Sequence, residues 1–128
     1  MEKQHPNIAV LSKMDLTNPD TLAEVISEDM LWHYFNPELP ELHGDYRGLK
    51  GFKDFFMKMG ALTQGKFKVN VQSAHAFGDE LVVTHSKNSM LLDMREMVVD
   101  AVVVWRILND KIVEGWDIPS VNTVKVKG

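Results

Sequence analysis

The stretch that most limits what this chain can become is residues 100–118, DAVVVWRILNDKIVEGWDI. Two apolar segments flank Asn109-Asp110, a pair suited to the tight reversal of a β-hairpin. β-branched and aromatic residues dominate both segments, so they read as paired strands. The second strand ends in Trp116-Asp117. A carboxyl at the end of an apolar strand is costly to bury unless something pairs with it or uses it. Asp117 is therefore the leading candidate for chemistry. Its face depends on the turn. A strict two-residue hairpin sets Asp117 opposite Val102, on the face of Asp100 and Arg106. A β-bulge shifts the parity and sets it with Val103 and Trp105. Strand periodicity leaves both arrangements open.

Upstream, the pattern predicts helices first and strands later. Ile8 and Leu11 have helical spacing. Asn18 can cap a second helix, Pro19 suits its first position, and Asp20 suits its positive end. Leu22, Val25 and Ile26 form that helix's apolar face. Met30–Phe35 reads as an aromatic strand, and residues 36–48 as a loop rich in Pro and Gly. Leu49–Leu62 is the strongest helix, with Leu49, Phe52, Phe55, Phe56, Met59 and Leu62 on one stripe and Gly65 past its end. Strands follow from Phe67, with Gly78-Asp79 as a turn, then 81–92, 97–108 and 112–118. Val124 and Val126 add an edge. The order implies one α+β domain over residues 1–128, with an antiparallel meander covered by helices on one face.

Composition removes several function classes. The net charge is −4, with Lys and Arg scattered, which argues against nucleic acid and anionic membrane as partners. There is no Cys, so thiolate metal sites, disulfides and Cys nucleophiles are excluded. The five His lack metal-ligand spacing, so no metal is expected. No apolar run reaches the length of a membrane span and the N-terminus has no signal-like core, so a cytoplasmic location is the default expectation. No phosphate loop or dinucleotide fingerprint is present, and no cofactor is expected.

Several short motifs sit where a known family has them: Trp32-His33, Tyr46-Arg47-Gly48, Gly78-Asp79, Trp105-Arg106-Ile107, Lys111-Ile112 and Trp116-Asp117. Over nearly its whole length the chain resembles the SnoaL-like branch of the nuclear transport factor two-like superfamily. The resemblance implies a cone: a strongly bent antiparallel sheet whose concave face, covered by helices, encloses an apolar pocket. It also implies a homodimer through the open sheet face, and it favours the bulge before Asp117. The superfamily includes polyketide cyclases, ketosteroid isomerases, limonene epoxide hydrolases and non-catalytic binders. Asp117 matches the acid that cyclases and epoxide hydrolases use. Tyr34 occupies the position of the isomerase base, and Val103 that of its second acid. Ser86 and Asn88 fall near the Arg and Asp pair of the epoxide hydrolases. The cyclase-like reading is thus the least damaged.

Taken together, the expected ligand is a hydrophobic, carbonyl-bearing small molecule. Asp117 would move the proton, because burial raises a carboxyl's pKa toward the working pH. Tyr34, with His85, would hydrogen-bond the developing oxyanion. Trp32, Phe52, Phe56, Met59, Val103 and Trp105 would line the pocket. Asp100 and Arg106 read as a structural or interface pair. The same residues also fit a binding or protein-interaction domain without turnover.

Overall fold

A computed structural model describes residues 5–37, 39–92, 94–120 and 124–125. The elements run α1 (Pro6–Ser12), α2 (Pro19–Val25), β1 (Ile26–Tyr34), β2 (Gly44–Arg47), α3 (Gly48–Leu62), β3 (Lys68–Phe77), β4 (Leu81–Leu92), β5 (Arg95–Leu108), β6 (Lys111–Pro119) and β7 (Val124–Lys125). Val126 lies outside the described residues. The helix starts follow from their caps. The Asn18 side chain accepts from the Asp20 amide at 3.1 Å, with Pro19 in the first turn. At the other end of α3, the chain turns through Gln64 and Gly65, both at positive φ, and the Gly65 amide bonds back to the Gly60 carbonyl.

The strands form one sheet in the order β2-β1-β6-β5-β4-β3, with β7 beside β5. One pairing departs from the expected antiparallel meander. β1 lies parallel to β6, so the sheet is mixed. β1 precedes α3 and the meander, and the chain returns to its open edge only with β6. A second departure is β2, which falls inside the expected loop. It pairs Leu31–Tyr34 with Gly44–Arg47. Helix α3 packs on β1 and β2, α1 against β3 and β4, and α2 against β1 and β6. The helices and the inner sheet face enclose the core, including Met30, Trp32, Phe52, Phe55, Ile107 and Ile112. Among the described residues, no helix is long and apolar enough to cross a membrane.

The β5–β6 hairpin settles the parity of Asp117. Asn109 and Asp110 both take positive φ, the geometry of a type I′ turn. Ile107 pairs with Ile112, but Arg106 pairs with Glu114, which leaves Val113 as the extra residue of a bulge. Beyond it, Asp117 stands opposite Val103. Gly115 faces the core at the same parity, and a Cβ there would meet Cε3 and Cζ3 of Trp32 at 2.7 Å. The Trp32 indole therefore rests directly on the β6 backbone, and only glycine permits this.

The outer face carries a polar chain instead. His33 contacts Asp45 at 2.7 Å and Glu114 at 3.0 Å, and stacks on Trp116. Arg106 bonds Glu80 at 2.6 Å and Glu114 at 3.4 Å. Asp100 bonds His85 and Lys87. Asp100 and Arg106 thus take separate partners, contrary to their expected pairing, because each has an opposite charge nearer on the neighbouring strand.

Two outcomes follow from this packing. Gly115→Ala must displace the Trp32 ring, a rigid neighbour, and should lower stability by about 1–3 kcal/mol, read as the urea midpoint. His33 is the second case. Burial alone lowers its pKa, but hydrogen bonds and charge from Asp45 and Glu114 outweigh burial and raise it above 6.5. A raised histidine pKa stabilises the fold fully below pH 6.5, and this contribution is lost as pH rises through the folded value. His33→Asn should flatten that slope. Because Asp45 is exposed, the effect should stay below about 1 kcal/mol.

Candidate functional site

Strand alternation sends Trp32 and Tyr34 of β1 inward, alongside Gly115 and Asp117 of β6, since these residues are register partners. On the other side of β6, Val103 and Trp105 of β5 face the same way, and Thr84 of β4 lies beyond Val103. The Phe-rich stripe of α3 covers this face. Trp32 makes an edge contact with Phe52, with centroids 5.0 Å apart, and lies 5.2 Å from Trp105. These pairs hold both indoles in fixed orientations.

A cavity of about 590 Å³ lies between this face and the helices. It falls within the size range of small-molecule sites. Trp32, Phe52, Phe56, Val103, Trp105 and Asp117 all border it. Met59, also expected at the wall, is buried in the core against the sheet and is absent from the lining. Leu11, Met14 and Phe67 contribute further apolar surface. A second, more open hollow of about 660 Å³ lies on the outer side, bordered by His33, Asp45, Arg106, Trp116, Tyr34 and Asp117.

Asp117 is the electrostatic centre of the inner site. Desolvation by the surrounding protein raises its carboxyl pKa from 3.8 to about 7. Among the described residues, no hydrogen bond or ion pair reaches that carboxyl. It can therefore exchange a proton near neutral pH. Tyr34 is its register partner on β1. Burial raises the Tyr34 phenol to about 12, and the nearby Asp117 adds to this while the Asn36 hydrogen bond works against it. Asn36 Nδ2 donates to the Tyr34 hydroxyl at 3.0 Å, which leaves the phenolic hydrogen available as a donor. Tyr34 borders the outer hollow rather than the inner cavity.

His85 is not brought to this site. The odd-numbered residues of β4 point outward, and its Nε2 lies 2.7 Å from Asp100. The even-numbered ones point inward. Thr84, Ser86 and Asn88 are buried there and border the cavity. Sequence reasoning set Ser86 and Asn88 beside a family position but missed the row as a wall. The available signal was the alternation in residues 84–88, neutral polar on one face and His85 and Lys87 on the other. Among the described residues, no group of three His, Asp or Glu is placed to hold a metal ion.

The comparisons with known proteins bear on the fold and the family. No curated protein matches the chain. Among solved structures, an NTF2-like protein of unknown function from Burkholderia pseudomallei superposes with a TM-score of 0.80 at 15% identity, over 93% of this chain and 94% of that one. TerC, crystallised with polyporic acid, gives 0.78 at 18% identity, over 91% and 92%. IdmH of Streptomyces antibioticus, a candidate polyketide cyclase, gives 0.74 at 19% identity, over 93% and 95%. At these identities the likeness establishes the fold alone. The model of the SnoaL-like domain matches residues 8–115. This chain therefore belongs to the family of SnoaL-like domains.

Proposed function

We propose that this protein binds a hydrophobic, carbonyl-bearing small molecule in the inner cavity and that Asp117 moves a proton on it. One observation carries the reading: an unpaired carboxyl, held near pKa 7 by desolvation, borders an apolar cavity walled by two tryptophans. Ionised Asp117 takes a proton from the carbon next to the carbonyl. The C–H electron pair becomes the enolate π bond, and charge collects on oxygen. Tyr34 stays neutral across the working range and, from the outer-hollow side of Asp117, offers its hydroxyl hydrogen to a carbonyl oxygen that reaches past the acid. Return of the proton to another carbon gives isomerase-type chemistry. Attack of the enolate carbon on a second carbonyl of the same molecule, whose π pair becomes an alkoxide that takes the proton back from Asp117, gives cyclase-type chemistry. This cycle needs no redox change and no cofactor. His85 and Met59 take no part in it. The TerC and IdmH likenesses agree with a ligand of this class.

The test uses 2-tetralone, a flat ketone with exchangeable α-hydrogens, in deuterated buffer. Proton NMR should show exchange accelerated by the protein, with the rate rising with pH to a plateau above about 7. Asp117→Asn should slow it by about 100-fold or more. Saturable binding with no acceleration would sink the catalytic part and leave a binding protein. Stability should move the opposite way. The folded state holds the Asp117 proton longer than the unfolded chain, so its contribution is full below pH 3.8 and lost as pH rises through about 7. Asp117→Asn should gain stability over wild type at pH 8, on the order of 4 kcal/mol, and little at pH 4.

The same reading includes a homodimer through the outer sheet face. Val102 and Ile118 are cross-strand partners there and are 38% and 56% exposed. An apolar pair of this kind at the centre of a sheet face favours a covering partner. Light scattering should give twice the chain mass, and Val102→Lys with Ile118→Lys should halve it. A monomeric wild type would end this part of the reading.

A further inference from the structure

The inner row of β4 is polar where an apolar wall would suffice. Thr84, Ser86 and Asn88 are 9%, 4% and 8% exposed, and all three border the cavity. Buried polar groups are costly unless hydrogen-bonded, so each donor and acceptor has to be accounted for. Trp105 Nε1 donates to Thr84 Oγ1 at 2.9 Å, which occupies an acceptor site but not the threonine's own hydrogen. Ser86 Oγ donates to Asn88 Oδ1 at 2.8 Å, which occupies the serine's hydrogen and the amide oxygen. The Asn88 amide group keeps both hydrogens, and the Thr84 hydroxyl keeps one. Among the described residues, no partner meets them. The two internal bonds fix both donors in place, with the carboxamide oriented so that its nitrogen is the unspent end. A row that served packing alone would not leave its donors unspent on a cavity wall.

Position gives the row a relation to Asp117. Thr84 pairs with Val103, and Val103 with Asp117, so two strand spacings separate Thr84 from the acid, while Ser86 and Asn88 lie two and four residues further along β4, opposite Ala101 and Val99. At about 4.8 Å per strand and about 3.3 Å per residue, Thr84 stands about 10 Å from Asp117 and Asn88 about 16 Å, the length of a flat molecule of several rings. The row is neutral, since His85 and Lys87 point to the other face and Asp100 bonds both. Neutral donors suit an uncharged oxygen better than a carboxylate, which calls for a cation.

We infer that Thr84, Ser86 and Asn88 form a recognition subsite for a second, uncharged oxygen on the ligand. The ligand is then an elongated flat molecule with oxygens at both ends, one at Asp117 and one about 16 Å away, at the Asn88 end of the row. This deepens the proposed function and rests on its reading that the cavity holds a carbonyl compound. The row selects among such compounds and does not touch the reacting carbon.

The test compares 6-phenyl-2-tetralone with 6-(4-methoxyphenyl)-2-tetralone, which adds an acceptor oxygen at the far end of a frame long enough to reach from Asp117 to the row. Binding is read as quenching of tryptophan fluorescence, since Trp32 and Trp105 are in the wall. The wild-type protein should prefer the methoxy compound by about tenfold, the effect of one well-placed hydrogen bond. Ser86→Ala with Asn88→Leu should bring the ratio of the two affinities to about one. Asn88→Asp keeps the side-chain shape but turns the unspent donor into an acceptor, and should push the ratio below one. It serves equally if the double variant fails to fold. A wild-type preference that survives in Asn88→Asp, or no preference at all, overturns the subsite while 2-tetralone exchange at Asp117 still stands. If neither ketone binds the wild-type protein, the subsite and the proposed function fall together.

Discussion

The arrangement rests on the seating of Trp32 on the bare backbone of Gly115. An indole pressed against a strand brings the first strand of the chain and the last long one together across a pairing that no hairpin provides. The same ring then meets Phe52, Phe55 and Phe56 of α3 and Trp105 of β5. Four elements, β1, α3, β5 and β6, thereby meet at one ring. The roof over the sheet, the wall of the cavity and the placement of Asp117 two residues further along β6 all follow from it. Packing of this kind is stiff, because each ring is limited by the faces of its neighbours.

That stiffness lets the protein keep an acid where an acid is costly. Asp117 has no counter-charge among the described residues, and desolvation alone holds its pKa near 7. The opposite treatment appears on the outer face. There His33, Arg106, Asp45 and Glu114 satisfy one another in a chain of ion pairs. One sheet thus carries charge that is neutralised on one side and charge that is left unanswered on the other. The outer network is what a solvated or covered surface needs. The inner carboxyl has no such structural purpose, and its free energy cost is the reason to read it as functional.

Local signals in the chain carried most of the fold. The capped start of α2, the apolar stripe of α3 and the long strands 81–92 and 112–118 depend on neighbours a few residues away. β2 was invisible because Gly44–Arg47 has no strand character of its own. It becomes a strand only by pairing with β1. The parallel β1–β6 contact was hidden for a similar reason, since it joins residues some eighty positions apart. For the site, composition and spacing brought out Asp117, Trp32, Trp105 and the α3 phenylalanines. They misplaced His85, because an imidazole in a strand can face either way until the register is known. They also passed over the β4 row, since threonine, serine and asparagine look like surface residues until the alternation with His85 and Lys87 is noticed.

The extra residue at Val113 sets the phase of everything after it. Pairing Val113 with Arg106 in a hairpin without the bulge would instead set Asp117 opposite Val102, so that Trp116 faced the helices and Asp117 faced outward. Straightening that one bulge would therefore exchange an acid for an indole at the cavity wall without substituting any residue that borders the cavity. Within a fold of this kind, descent can gain or lose reactivity through the phase of a hairpin as readily as through substitution in the pocket.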